Sequence, residues 1–476
     1  MDLKAFIDAD KSLIIAPAGY GKTHAIIEAL KTIADSRKVL VLTHTHAGIA
    51  SIREKAKKEQ INPTNYTLDT ICSFALFLTN AFYKHKDLMP QPEDEDYFPF
   101  AVSKATKLLR ANPVKYYLSC TYSHLIVDEY QDCTLLQHGF VLRLSEVLKT
   151  HILGDPLQGI FDFNDTLVDL DSNQHMTGFN ENVQRLEVPW RWKNNNEQLG
   201  ADLALIRSEV FEQNNQLDLT KYRSICFQST TNQNDIYDYN SNAYRWLSNL
   251  IKMRNPNSLL VVVPEKHNVK PFANRFKTQF GIRELNAFDE NWYYECSKLI
   301  DSNNGNNTHS IIHEVLLDLF PKTIVEQWIN GKHRLKNKPR VQSLDSEFYI
   351  SLHTLYISSV FDLNWMIKVV SLFKNHYFRH CKLEKTNAII NAMKNAMCDS
   401  VSVHEGMKQD RDVARRVGRK VYGRYVGTTL LTKGLEFDTV IVMNPNSFAN
   451  KKHLYVALTR ATNCLIVFST TSKINL

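Results

Sequence analysis

The 476-residue chain lacks several features that mark special classes of protein. It has no uninterrupted apolar run of about 18 residues or more, which argues against a membrane-spanning helix. Residues 1–15 lack the basic segment and the small-residue cleavage site of a secretory signal, so we expect a cytoplasmic protein with no membrane association. The eight cysteines form no CxxC pair, which argues against a structural zinc or cluster site and is typical of reduced thiols.

A strong charge of one sign is also missing. The sum of Lys and Arg exceeds the sum of Asp and Glu by 57 − 50 = 7, and the sequence pI is about 8.8. This mild basic excess permits binding to a polyanion such as nucleic acid without requiring it. The chain is too long for one hydrophobic core, so its length predicts about two to four domains.

Short apolar runs separate segments with helical periodicity. They occur at 12–15, 39–42, 125–127, 151–153, 259–263, 440–443 and 465–468. Because successive residues are apolar, rather than alternate ones, each run predicts a strand that is covered on both faces, as in a parallel sheet. Helices between such strands form right-handed crossovers, and the pattern therefore predicts an α/β protein. One group of runs precedes residue 190 and another follows residue 255, which indicates two α/β domains.

Asparagine-rich stretches and a long helical segment set the predicted domain limits. We predict a first α/β domain at 1–74 and 121–195 with a small insertion at 75–120, and a second at 196–285 and 416–476 with an insertion at 286–415. The second insertion is assigned because its periodicity is largely helical and because an Asn/Gly loop interrupts it at 303–307.

A glycine-containing loop, APAGYGKT at 16–23, follows a predicted strand and precedes a predicted helix. It matches a phosphate-binding loop, except that Ala16 stands where the motif has glycine. In such a loop the backbone N–H groups surround phosphate oxygens, the lysine reaches the β and γ phosphates, and the threonine hydroxyl binds Mg²⁺. The predicted nucleotide-binding residues of this loop are Ala18, Gly19, Tyr20, Gly21, Lys22 and Thr23, and the predicted cofactors are ATP and Mg²⁺.

Two carboxylates end the predicted strand at 125–127. The carboxyl edge of a parallel sheet faces such a phosphate loop, so we expect Asp128 and Glu129 to lie beside the nucleotide. Asp128 is suited to hold the metal, directly or through water. Glu129 is suited to orient and deprotonate the attacking water.

Further segments follow in a fixed order and complete a resemblance to a known family. They are Val41–Ala47, Thr70–Ala75, Asp128–Asp132, Gly154–Phe161, Leu186–Arg191, Thr428–Asp438 and Leu454–Ala461. Together with the phosphate loop they resemble the motifs of superfamily I DNA helicases of the UvrD/Rep/PcrA type. The resemblance implies two RecA-like parallel-sheet domains, each with a mainly helical insertion. It also implies an ATP-driven motor that moves along single-stranded or tailed DNA in the 3′-to-5′ direction.

The resemblance assigns roles to matching residues. Gln158 matches the residue that senses the γ phosphate, and Glu436 matches one that contacts the ribose. Arg191 and Arg460 match two arginine fingers, which neutralise the charge that develops on the transferred phosphoryl group. With Glu129 these residues form the predicted catalytic set.

Seven residues match positions at which the family contacts DNA. Thr45, His46, Thr70 and Thr428 would contact phosphates or sugars, and Phe74, Phe161 and Phe163 would stack on bases. For Phe74 and Phe163, packing in the core is the alternative interpretation. A basic stretch at 408–424 either contacts nucleic acid or a partner, or forms a solvated helix.

Two departures from the family pattern limit what the resemblance implies. No glutamine precedes the phosphate loop, where the family has a residue that recognises adenine, so nucleotide selectivity is expected to be looser or achieved differently. The segment after Phe161 also lacks the usual arginine. One DNA or interdomain contact that the family makes is therefore expected to be missing.

An alternative function is a DNA-sensing ATPase that regulates a partner nuclease without processive unwinding. Both predicted insertions are short for a repair helicase, and no nuclease motif follows the last matching segment. Small helicases of this kind accompany a separate nuclease in anti-phage systems such as Gabija, which this chain could resemble. An RNA helicase is a weaker third hypothesis.

Overall fold

The computed structural model describes most of the chain. The described residues are 2–92, 94–160, 166–213, 215–232, 235–285, 290–303, 305, 307–336, 343–357, 362–417 and 423–475. Their contacts divide the chain into two compact units, Met1–Met89 with Phe98–Ala287 and Val417–Leu476, and Pro90–Tyr97 with Phe288–Arg416. Each unit has its own core.

Within the described residues, the strands all lie in the first unit. They are β1 Lys11–Ile15, β2 Lys38–Thr43, β3 Tyr66–Thr70, β4 Tyr122–Val127, β5 Lys149–Gly154, β6 Val183–Arg185, β7 Leu217–Asp218, β8 Ile225–Ser229, β9 Leu259–Val262, β10 Arg283–Glu284, β11 Arg424–Gly427, β12 Phe437–Met443, β13 Ala461–Ser469 and β14 Lys473–Ile474. All but β7 and β14, which pair with each other, belong to two six-stranded sheets. Both large sheets are parallel throughout.

Helices connect the strands and build the second unit. They are α1 Leu3–Asp8, α2 Lys22–Thr32, α3 His46–Lys58, α4 Ile71–Phe82, α5 Tyr97–Leu108, α6 Asn112–Thr121, α7 Leu135–Leu144, α8 Glu197–Leu205, α9 Asn242–Arg254, α10 Val269–Phe280, α11 Glu290–Asp301, α12 Thr308–Leu319, α13 Lys322–Trp328, α14 Ser343–Tyr356, α15 Leu363–His376, α16 Leu383–Asp399, α17 Val403–Val417, α18 Thr429–Thr432 and α19 Lys451–Leu458. Within the described segments, none of these helices combines the length and apolar character that crossing a bilayer demands.

The first sheet has the strand order β3-β2-β4-β5-β1-β6. Its central strands are buried on both faces, as the apolar runs at 12–15, 39–42, 125–127 and 151–153 predict. On one face, β2 and β4 pack against helices α5 and α6, which contribute Val102 and Leu118 to the same core. The helices of segment 97–121 therefore share a core with the sheet, although the sequence assigns most of them to an insertion.

The second sheet has the strand order β10-β11-β9-β12-β13-β8. The remaining three apolar runs form β9, β12 and β13 at its centre. The α/β prediction of two parallel sheets is thus confirmed. The strands that the sequence does not reveal are the short or half-exposed ones, such as β3, β6 and β10, because edge strands carry few consecutive apolar residues.

The second unit is helical over its described residues. Helices α11 to α16 surround a core of aromatic and branched side chains, with Trp328 and Phe373 fully buried in it. The described parts of segment 286–415 are mainly helical, as predicted, and include one antiparallel bridge between Ile329 and Leu335.

A buried histidine makes the stability of the first sheet sensitive to acid. The ring of His151 on β5 is fully buried, and its Nδ1 lies 2.8 Å from the Ser12 hydroxyl. Burial, with a smaller effect of the nearby His124, lowers the pKa of His151 from 6.5 to about 3. The folded protein keeps the ring neutral, while the unfolded chain binds a proton below pH 6.5. Stability is therefore full above that pH and falls as the pH decreases from 6.5 towards 3.

We expect this one residue to decrease the free energy of unfolding by about 2 kcal/mol between pH 7.5 and pH 5. Urea unfolding across that range measures the decrease, and His151→Gln should remove most of it because glutamine does not titrate. His85→Gln, at an exposed position, is the matched control and should leave the slope unchanged. An unaltered slope in His151→Gln would contradict the prediction.

Candidate functional site

The loop between β1 and α2 has the backbone that a phosphate-binding loop requires. Gly19 and Gly21 both have left-handed conformations, with φ of 79° and 96°. A Cβ at Gly19 would lie 2.8 Å from the Trp192 ring, and one at Gly21 would lie 3.0 Å from the Trp190 ring. Both positions therefore need glycine for conformation and for space. Helix α2 begins at Lys22, so its free N–H groups point into the loop.

A cavity of about 380 Å³ opens above this loop. It is lined by Pro17, Ala18, Gly19, Gly21, Lys22, Thr23, His24, Thr45, Gly48, Ser51, Lys55, Asp128, Glu129, Gln158, Trp190, Arg191, Lys433, Gly434, Glu436 and Arg460. Residues that precede or follow strands of both large sheets line the same space. Its volume is in the range of small-molecule binding sites, and its walls are rich in cations.

Glu129 is held in place from two sides. One carboxylate oxygen lies 3.5 Å from the Lys22 ammonium, and the other accepts a 2.6 Å hydrogen bond from the Gln131 amide. The residue adopts a left-handed backbone, with φ of 55°, which is unusual for a side chain of this size. Burial would raise the pKa of Glu129, but Lys22 and Lys433 outweigh it and lower the pKa. Glu129 is therefore an ionised carboxylate, as a base must be.

Asp128 lies at the end of β4 and is almost fully buried. Burial and the adjacent Glu129 carboxylate raise its pKa, which is the expected behaviour of a buried acid without a bound cation. The Thr23 hydroxyl lines the same cavity. The described residues contain no cluster of three or more metal-binding His, Cys, Asp or Glu side chains. The Asp128 carboxylate and the Thr23 hydroxyl suit Mg²⁺, which is usually bound through one or two protein oxygens, waters and nucleotide phosphates.

Two arginines reach the cavity beside residues of the second sheet. Arg191 donates hydrogen bonds to Glu436 at 2.7 Å and to the Thr459 carbonyl at 2.5 Å. Arg460 is 2% exposed and donates to the Gln158 side chain at 3.3 Å. Gln158 follows β5 of the first sheet, and Arg460 precedes β13 of the second. Their contact therefore joins the two sheets across the cavity. Burial and the nearby Arg191 lower the pKa of Arg460 to about 10.

A buried ion pair crosses the same junction. The Lys433 ammonium contacts the Asp132 carboxylate at 2.5 Å and also donates to the Gln158 carbonyl. Both charged groups are almost completely buried, which is costly unless each is paired. Both residues lie in segments that carry the family resemblance, Asp128–Asp132 and Thr428–Asp438, but no role is predicted for either. Their pairing could not be predicted from the sequence, because the two residues are about 300 positions apart.

The structure places most predicted nucleotide-binding residues on the cavity. Those that line it are Ala18, Gly19, Gly21, Lys22, Thr23, Asp128, Glu129, Gln158, Arg191, Glu436 and Arg460. Tyr20 is the exception, because its ring is buried in a core cluster with Leu157 and Trp192. The predicted contact of Tyr20 with nucleotide therefore stays a prediction that concerns its backbone N–H group.

Three of the residues predicted to contact DNA have local structural roles within the described part of the chain. Thr45 lines the nucleotide cavity, and its hydroxyl caps helix α3 by accepting from the Gly48 N–H at 3.1 Å. Thr70 is nearly buried and caps α4 through the Ser73 N–H. The Phe74 ring is 1% exposed and contacts Tyr122 edge-on, so this conformation favours the alternative interpretation, packing in the core, over base stacking.

The remaining predicted DNA contacts are not tested by the structure. Thr428 is half-buried at the start of α18. The side chain of His46, and Phe161 and Phe163 entirely, lie outside the described residues. The basic stretch at 408–424 is described only in part.

One face of α3 forms an unpredicted wall of the cavity. Thr45, Gly48, Ser51 and Lys55 recur at intervals of three and four residues, so they share one side of the helix. This periodicity was available in the sequence. The sequence does not show which way that face of α3 points, because its direction depends on how α3 packs beside β2 and β3.

Trp190 is a second unpredicted element of the wall. Its side chain is 49% exposed beside the phosphate loop, and its ring centre lies 6.3 Å from that of His24. Lys193 lies over the ring at 4.4 Å. An exposed indole at the mouth of a polar cavity offers a flat face on which a nucleobase can stack.

Comparison with known proteins agrees with this geometry. Residues 3–164 match the model of the AAA domain family. That range includes the phosphate loop, Asp128, Glu129 and Gln158. The match and the site geometry together support a nucleotide-binding protein that hydrolyses nucleoside triphosphates. No curated protein matches the chain.

Matching solved structures include two viral helicases. The PRRSV helicase is 10% identical with a TM-score of 0.36, and the match covers 98% of this chain and 54% of that one. Arterivirus nonstructural protein 10 (helicase) is 10% identical with a TM-score of 0.35, covering 98% of this chain and 61% of that one. This chain thus spans less than two thirds of either structure.

Proposed function

We propose that the protein is an ATP-driven translocase on single-stranded DNA that moves 3′ to 5′ and unwinds tailed duplexes. The observation that carries the proposal is a cavity lined by a phosphate loop, three acidic residues and two arginines from elements of both large sheets. In a motor of this kind, closing the cleft on nucleotide moves one sheet against the other. The order of the matched sequence segments supports DNA as the track.

The residues of the cavity suggest how hydrolysis proceeds. Lys22 lies 3.5 Å from Glu129, and we propose that an incoming triphosphate draws the ammonium towards its β and γ oxygens. Glu129, still held by Gln131, is then free to accept a proton from the attacking water. Mg²⁺ held by Thr23 and Asp128 would neutralise phosphate charge. Arg191 and Arg460 stabilise the charge that develops on the transferred group.

Nucleobase selection is expected to be weak. The exposed Trp190 ring is suited to stacking, and stacking tolerates every base because each has a π face. We therefore expect ATP and GTP to be hydrolysed with similar kcat/KM. A strong preference for ATP would contradict this expectation and would indicate edge-specific hydrogen bonds to adenine.

The test of the proposed function is a hydrolysis assay combined with strand displacement. ATP turnover by the full chain is measured alone, with single-stranded DNA and with single-stranded RNA. Duplexes with a 3′ tail, a 5′ tail or no tail are then offered with ATP. We expect stimulation by DNA and displacement only from the 3′ tail, with Lys22→Ala as the inactive control.

Each other outcome has a definite meaning. Stimulation by RNA but not by DNA would overturn the choice of track. Displacement from the 5′ tail would overturn the direction. DNA-stimulated hydrolysis without displacement would favour the alternative of a DNA-sensing ATPase. Recovery of a nuclease with the protein from native cells would then support a regulatory role.

A further inference from the structure

A buried arginine, Arg207, joins the two sheets at a second place outside the nucleotide cavity. Its guanidinium contacts both carboxylate oxygens of Asp155, at 2.8 Å and 3.1 Å. It also donates to the Tyr455 hydroxyl at 2.7 Å and to Glu212 at 2.9 Å. Asp155 follows β5 of the first sheet, and Tyr455 lies on α19 beside the second. Through its hydrogen bonds to Asp155 and Tyr455 and its ion pair with Asp155, Arg207 forms a junction between the two sheets.

The local backbone explains how an arginine reaches this position. Residues Ile206–Phe211 form a π-helical turn that continues α8. The Glu212 N–H donates to the Arg207 carbonyl, five residues back, as a π turn requires. Within this π-helical turn, the side chains of Arg207, Val210 and Phe211 are all buried. The Phe211 ring packs edge-on against Tyr455. Such turns cost stability and are frequent at functional sites.

Asp155 connects this junction to the catalytic residues. Its Oδ2 accepts from the Gln158 amide at 2.8 Å, and its backbone N–H donates to Gln131, which holds Glu129. On the other side, Tyr455 lies on α19 and Arg460 follows the end of that helix, five residues further along the chain. Asp155 is completely buried, so its carboxylate needs the Arg207 guanidinium as an ion-pair partner.

We propose that Arg207 is a positioning residue that fixes Gln158 and α19 relative to each other and so couples the cleft to the hydrolysis site. It does not line the nucleotide cavity and therefore acts through Asp155 and Tyr455. This proposal rests on the proposed function, because coupling between cleft closure and hydrolysis has a purpose only in an ATP-driven motor. The network itself is a property of the described structure.

The geometry demands arginine at this position. A lysine keeps the charge but has a single nitrogen, which cannot contact both Asp155 oxygens, Tyr455 and Glu212 at once. Gln158 would then lose a fixed partner. A displacement of about 1 Å at a catalytic group can lower the rate by about 100-fold.

The experiment compares Arg207→Lys with Arg223→Lys, a matched change at an exposed arginine. For each variant, kcat and KM for ATP are measured with and without single-stranded DNA, and the melting temperature is recorded. We expect Arg207→Lys to lower kcat by about 10-fold to 100-fold with KM little changed, and to reduce stimulation by DNA. Tyr455→Phe removes one partner only and should show a smaller loss, which keeps the test valid if Arg207→Lys does not fold.

A double variant separates positioning from general destabilisation. If Arg207 acts through Gln158, adding Arg207→Lys to Gln158→Ala should cause no further loss of kcat. An additive loss, or an unchanged kcat in folded Arg207→Lys, would overturn the proposal. Because the cycle uses hydrolysis without DNA, it remains decisive even if DNA fails to stimulate the wild type. That failure would count against the proposed function alone.

Discussion

Replacing Glu129 with glutamine should lower kcat for ATP hydrolysis by about 10²-fold to 10⁴-fold, the usual contribution of a positioned general base. Glutamine has nearly the same shape and keeps a contact to Gln131, but it cannot accept the proton of the attacking water. The substitution also removes the negative charge beside Lys22, 3.5 Å away, so ATP binding should be equal or tighter. Single-turnover hydrolysis and equilibrium binding of a fluorescent ATP analogue measure the two effects separately.

The expected pattern is a loss confined to the chemical step. Glu181→Gln, at an exposed position in the same unit, is the matched control and should behave as wild type. Lys22→Ala should differ from Glu129→Gln by weakening ATP binding as well, because it removes the phosphate contact. Turnover near the wild-type rate in Glu129→Gln would eliminate Glu129 as the base and with it the proposed hydrolysis mechanism.

Much of the fold could be predicted because parallel sheets leave a strong sequence pattern. Strands such as β2 and β4 are buried on both faces, so each contains a run of three or four consecutive apolar residues that is visible without any structure. Edge strands such as β6 carry no such pattern. The packing of α5 and α6 on the first sheet was also hidden, because helical periodicity shows which face is apolar but not what covers it.

The nucleotide site could be predicted for a different reason. Chemistry fixes its spacing: Lys22 must follow the glycine loop, and Asp128 must end a strand at the same sheet edge. Two contacts that support these groups join Lys433 to Asp132 and Arg207 to Asp155, and the partners in each pair are distant in the sequence. Such pairings depend on how the two sheets pack, and no local pattern records that.

The residues predicted to contact DNA show where transfer by resemblance is weakest. A phenylalanine or threonine at a matching position has several uses, and Phe74 and Thr70 serve as a core residue and a helix cap. A phosphate loop has few structural uses, so its match is more specific. Apolar and small polar residues need the structure before a role is assigned.

Replacing Arg460 should produce the second large effect, because an arginine finger contributes about 10³-fold to 10⁵-fold to phosphoryl transfer. Arg460 is 2% exposed, and burial, with the nearby Arg191, lowers its pKa to about 10. A cation held out of water stabilises an anionic transition state more strongly than a solvated one does. We expect Arg460→Lys to retain the fold better than Arg460→Ala and still to lose most of kcat.

A comparison of variants at Arg191 and Arg460 decides which arginine contributes more to kcat. In the described structure Arg191 is bonded to Glu436 and to the Thr459 carbonyl, so it must exchange a partner to reach a phosphate. Arg460 already contacts Gln158, one of the residues lining the cavity. Arg191→Lys should therefore cost less in kcat than Arg460→Lys, and Glu436→Gln should ease the exchange for Arg191. Steady-state hydrolysis by the three variants, each checked for an unchanged melting temperature, measures the order. A greater loss in Arg191→Lys would show that the exchange is complete before the chemical step and that Arg191 is the principal finger.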